Sequence, residues 1–136
     1  MNPKALELQA RTQKFAADVL IFCERLADKR ETRSIVDQLL DSAGATDSNY
    51  RAACRSRSTR EFIAKIGVAA EEADESKGWL ELLVRSEQVP EAKARPLIQE
   101  ADELTAIFVK SRKTAENNTL EREQRTKNLR QRRNRY

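Results

Sequence analysis

Four separate segments of this chain repeat apolar or small residues at alternating steps of four and three, and that rhythm admits little besides amphipathic helices packed side by side. In the first, the residues are Phe15, Val19, Phe22 and Leu26. In the second they are Ile35, Leu39, Ser42, Ala43, Thr46, Asn49, Tyr50 and Ala53. The third runs Phe62, Ile66, Ala69, Ala73, Ser76, Leu80 and Leu83, and the fourth Leu97, Ala101, Leu104 and Phe108. Three glycines and three prolines among 136 residues leave no room for a turn-rich β-fold. The chain is long enough for one core and too short for two ordinary ones. We therefore expect an all-α protein, an antiparallel up-down-up-down four-helix bundle over residues 1–116, with a basic C-terminal tail over 117–136.

Local signals place the helix ends. Asn2 can cap a first helix with Pro3 at its first position, running to about Lys29. Thr32 is the expected cap of a second helix from Arg33 to about Arg57. Ser58 and Glu61 form a capping box that opens a third, ending near Glu87. Pro90 and Pro96 offer two starts for the fourth, whose stripe weakens beyond Thr114. The stretch from Gln38 to Ala53 is poor in large apolar residues. Its inward face of Ala, Ser, Gly and Thr would let other helices approach closely. Gly44 costs about 1 kcal/mol of helix propensity relative to Ala, and close helix contact is the simplest compensation.

Charge is unevenly placed. Residues 119–136 hold seven basic side chains (Arg122, Arg125, Lys127, Arg130, Arg132, Arg133 and Arg135) against Glu121 and Glu123, a net of +5. The rest of the chain carries 19 basic and 20 acidic residues. The basic character thus belongs to the tail, which reads as a fraying helical extension or a disordered arm suited to phosphates. A second cluster, Arg51, Arg55, Arg57, Arg60 and Lys65, lies where helix two ends and helix three begins, opposed locally only by Glu61. It is either a solvated helix end, favoured by the helix dipole, or a phosphate-contacting patch.

No catalytic constellation appears, so a non-enzymatic protein is expected. Cys23 and Cys54 have no histidine partner anywhere in the chain and read as free, buried thiols. Glu72 and Glu75 share a face with Trp79. Without histidine this line fits a dimetal site poorly, and better fits an acid pair bonded to Asn49, Lys65 or a neighbouring protomer's arginine. No metal and no cofactor are implied. Trp79, off the main stripe, is either a core residue or an oligomer-interface anchor. No apolar run is long enough for a signal peptide or a membrane span, which predicts a cytoplasmic protein.

Four motifs in order carry a family resemblance over residues 11–115. They are Gln38-Leu39-Leu40 with Ser42-Ala43 and Asn49; Ser58-x-x-Glu61-Phe62-Ile63-x-Lys65-Ile66; Ala69-x-x-Glu72-Ala73-x-Glu75-Ser76-x-x-Trp79-Leu80; and Glu103-Leu104-x-x-Ile107 with Ser111-x-x-Thr114-Ala115. On these residues the chain resembles the bacterial four-helix-bundle proteins first met as products of intervening sequences in 23S ribosomal RNA genes. The accessory proteins of diversity-generating retroelements are similar in fold. The resemblance implies a homo-oligomer, typically a pentameric ring, that is basic and RNA-associated; the basic surfaces themselves point to RNA or single-stranded DNA, with little sequence preference because nothing in the chain resembles a base-reading module. The resemblance leaves open an accessory role with a protein partner such as a reverse transcriptase. Asp47 and Arg51-Ala52 depart from the family's usual pattern.

Overall fold

The computed structural model describes residues 2–136, and among these the elements are four long helices and one short turn of 3₁₀ helix. Helix α1 spans Pro3–Cys23, α2 Arg30–Cys54, α3 Thr59–Arg85 and α4 Glu91–Asn134. Each helix packs on its sequence neighbour, and α4 closes the ring by meeting α1 over a much shorter stretch. Among the described residues the backbones of the two diagonal pairs stay more than 8 Å apart at their Cα atoms, and only side chains reach across the core. This is the expected up-down-up-down bundle.

Most of the predicted stripes form its interior, but Phe22, Ile35, Asn49 and Phe62 are only half-buried, and Val36 rather than Ile35 takes the core position at the start of α2. Phe15, Val19, Leu39, Ile66, Ala73, Leu80, Leu83, Ala101, Leu104 and Phe108 are all buried, and the rings of Tyr50 and Phe108 stack with centroids 5.3 Å apart. Each of the four seams also carries a polar link between helices. Thr12 donates to Asp47 at 2.8 Å between α1 and α2. The hydroxyls of Ser42 and Ser76 meet at 2.8 Å between α2 and α3. Lys77 reaches Asp102 at 2.9 Å between α3 and α4. Arg11 pairs with Glu100 and, at 3.0 Å, with Glu103 between α1 and α4. Asp47, one of the departures from the family pattern, is therefore accounted for: its carboxylate takes up the buried Thr12 hydroxyl.

Several local expectations change. Helix α1 stops at Cys23, and the chain reverses through a 3₁₀ turn at Leu26–Asp28 that tucks Leu26 into the core. Thr32 is not the cap of α2. Lys29 occupies that position in extended conformation, and Thr32, buried in the first turn, donates its hydroxyl back to the carbonyls of Leu26 and Lys29. Pro96 starts no second helix, since α4 begins at Glu91 and runs through it. Pro96 falls in α4's second turn, where it removes one early backbone donor and the buried Ala94 and Leu97 on either side hold the helix in place.

Gly44 faces outward, and a Cβ built on it would meet nothing within 4 Å, so close packing inside this chain does not compensate it. The close approach falls instead to Ala43, Ser42 and Thr46 on the inner face. Ser58 caps α3 as predicted, accepting from the Glu61 backbone N–H at 3.0 Å. That helix ends with Glu87 at φ 62°, and Gln88 N–H donates back to the Leu83 carbonyl at 3.0 Å, the left-handed helix ending usually given to glycine.

Candidate nucleic-acid interface

The C-terminus of α2, the link to α3, the start of α1 and the middle of α4 converge at one end of the bundle. There they surround an open groove of about 890 Å³. Its floor is apolar: Leu8 of α1, Tyr50 and Cys54 of α2, Phe62 of α3 and Ile107 of α4. Phe62 and Ile107 are half-buried, so part of each remains open to the groove. Its ionisable rim is cationic, with Lys4, Arg57 and Arg122 in the lining and no acidic side chain among the lining residues.

The basic cluster read from sequence is partly gathered here. Arg57 lines the groove, while Arg51, Arg55, Arg60 and Lys65 lie outside the lining on the adjoining exposed surface. None of the five forms an ion pair among the described residues, whereas Arg11, Lys14, Lys77, Arg95 and Arg112 all do. The opposite end of α2 differs in kind: there Arg25, Lys29, Arg30 and Arg33 are interleaved with Glu24, Asp28 and Glu31. Uncompensated positive charge is thus concentrated at the groove end.

Arg122 joins this end to the tail. Helix α4 continues to Asn134, and Arg122, Arg125, Lys127, Arg130, Arg132 and Arg133 lie exposed along it, with Arg135 just beyond. At 100° per residue the cations from Arg122 to Arg133 spread over about 220° of the helix surface, and the remaining arc carries Gln124, Asn128 and Gln131. Lys4 was missed by sequence reasoning. It is one lysine in an unremarkable first turn, and only the packing of α1 against α2 and α4 brings it to the same groove as Arg57 and Arg122.

The residues proposed as structural or interfacial divide differently. Ser42 is buried against Ser76, and Asn49 turns its amide to the Ala45 carbonyl at 2.8 Å. Glu72 bonds neither Asn49 nor Lys65 among the described residues. Glu75 accepts from the Trp79 indole N–H at 3.2 Å. The Glu72 carboxyl has its pKa raised, first by burial and then by the negative charges of Glu75, Glu71 and Asp41. Among the described residues no group of His, Cys, Asp and Glu side chains is placed to hold a metal ion. Cys23 is buried, and burial pushes its thiol up to about 11, while Cys54 is only half-buried at the groove. Among the described residues no helix is long and apolar enough to cross a membrane.

No curated protein matches the chain. Among solved structures it is similar to a protein of unknown function from the S23 ribosomal protein family of Bacteroides thetaiotaomicron, with a TM-score of 0.75 and 24% identity over 81% of this chain and 98% of that one. That likeness bears on the fold alone. Residues 4–110 match the family model described as 23S rRNA-intervening sequence protein. With the bundle and all four polar seams inside that span or at its edge, the chain belongs to the 23S rRNA-intervening sequence protein family.

Proposed function

We propose that this protein is a non-enzymatic, ring-forming bundle that binds RNA or single-stranded DNA, with little sequence preference, through the groove end and the extended basic part of α4. The observation that carries this is the set of exposed cations at Arg57 and from Arg122 to Arg135, which form no ion pair among the described residues and have only Glu121 and Glu123 beside them in the tail. Lysines and arginines without carboxylate partners are free to displace counterions from phosphates, and this displacement supplies most of non-specific affinity. Nothing on the surface resembles a base-reading module. A variant ending at Asn118 removes all seven tail cations and leaves every buried core residue in place. In low-salt gel shifts it should lose most affinity for RNA. For the full chain, log affinity should fall with log salt at a slope of about −5 if all seven meet single-stranded phosphates. Undiminished binding by the shortened chain defeats the tail's role.

Self-assembly is part of the same reading. Val68, Glu72, Glu75, Trp79 and Leu82 form one outward line on α3, with Val68 and Leu82 exposed and Trp79 half-buried. The outward-facing Gly44 and Gly78 have open space around them. A neighbouring protomer seated there would cover the apolar residues and use the room the glycines leave. Mass measurement in native buffer tests it, and a monomer at all concentrations rules the ring out.

A further inference from the structure

A bundle that only needed to attract phosphates could do so with its tail. The groove adds an apolar floor under a cationic rim, a combination the tail lacks. Its volume of about 890 Å³ falls in the range of pockets that take small molecules or single groups of a polymer. It has no acidic lining residue, so a basic segment such as the tail of a second copy is repelled. Its rim charges come from three separate elements: Lys4 from α1, Arg57 from the α2–α3 link and Arg122 from α4. Positive charge then continues along α4 through five further cations, with Arg135 just beyond its end. An occupant must therefore be apolar on one side and carry negative charge that extends well past the groove. A single nucleic-acid strand meets both demands, because every base has a π-face and the phosphates recur along the chain. A duplex does not, since its bases are stacked inside and cannot reach a recessed floor.

We propose that the groove receives an unpaired nucleotide, its base against Phe62 and Ile107 and its flanking phosphates against Lys4, Arg57 and Arg122, with the strand then following α4. The inference rests on the nucleic-acid reading above and makes it specific: the protein distinguishes single strands from duplexes and depends on bases as well as phosphates.

The test is fluorescence anisotropy with the full-length protein at one fixed salt concentration. The probes are a short single-stranded RNA, the matching single-stranded DNA, the RNA duplex, and an abasic DNA strand of the same length. The wild type should bind both base-bearing single strands about tenfold or more tightly than the abasic strand, the scale of one base stacked on an aromatic ring. RNA and DNA that differ little place the recognition on base and phosphate, whereas a large preference for RNA extends it to the 2′-hydroxyl. Phe62→Leu keeps an apolar side chain on the bundle and should bring the base-bearing strands down toward the abasic one without changing duplex binding. Arg57→Glu, at an exposed position, should weaken single strands more than duplex. Equal binding of base-bearing and abasic strands, or a Phe62→Leu variant indistinguishable from wild type, overturns the groove proposal even where the tail still binds. Binding of a poly-glutamate peptide that is sensitive to Phe62→Leu, with strand binding insensitive to it, overturns it in favour of an acidic protein partner. No binding of any nucleic acid by the full chain defeats the broader reading instead.

Discussion

Helix α4 is two regions in one element, and the contrast between them shows what packing requires and what it leaves free. Its 44 residues amount to about 66 Å, against about 32–41 Å for the other three helices. In the bundle half, Leu97, Ala101, Leu104 and Phe108 recur at four, three and four and are buried. In the projecting half the only large aliphatic residues are Leu120 and Leu129, which are 63% and 61% exposed. Nine residues at 100° each place those two on opposite sides of the helix, so no single face could bury both. Helical backbone alone therefore does not make a core. Without apolar spacing the same helix becomes a carrier of charge.

The largest effect that could break this contrast is a truncation on each side of it. Phe108→Ala removes a fully buried ring stacked on Tyr50 and should cost about 3–5 kcal/mol in urea unfolding. Leu129→Ala should change stability by less than about 0.5 kcal/mol. Comparable losses would mean that the projecting half is packed against something, and a second protomer would be the first candidate to examine.

Next in size is a proline in the projecting half. Gln124→Pro should cost about 3 kcal/mol of local helix stability, which the segment cannot absorb because no buried side chain beyond Phe108 holds it. The expected outcome is a loss of far-UV helical signal with the thermal midpoint unchanged. A lowered midpoint would show that the projection and the bundle unfold as one unit. Hydrogen exchange makes the same division visible, with amides near Leu104 protected far longer than those near Leu129.

These halves also show why the sequence was readable in some places and opaque in others. The core stripes, the Ser58 cap and the bundle topology follow from spacing and backbone chemistry, which are local. Thr32 misled because a threonine ahead of a helical repeat makes the same signal whether its hydroxyl caps forward or bonds backward to Leu26. Gly44 misled because spacing cannot tell an inward small residue from an outward one beside it. The groove was illegible for a different reason: Lys4, Arg57, Phe62 and Arg122 are scattered over nearly the whole chain, and only the packing of all four helices brings them together.

The smallest effect concerns the charges that the bundle half keeps to itself. Glu71, Glu72 and Glu75 on α3 and Asp41 on α2 form no ion pair among the described residues. Burial and these neighbours raise the Glu72 pKa above its unfolded value. The folded state therefore holds that proton more tightly than the unfolded chain. The resulting stabilisation is complete below the unfolded carboxylate pKa and is lost as pH rises through the raised folded one. At neutral pH the ionised Glu72 is then a mild liability. Glu72→Gln should stabilise the protein there by about 0.2–0.5 kcal/mol for each like-charge pair relieved, a gain that shrinks with salt and vanishes near pH 3. The comparison becomes sharper if the measurement is repeated over a range of protein concentrations. A gain in dilute protein that turns into a loss in concentrated protein would mean that a cation from a second copy meets this carboxylate on assembly. A gain independent of concentration leaves the acidic line facing solvent, and with it the separation of negative charge on the bundle from positive charge on the projecting half.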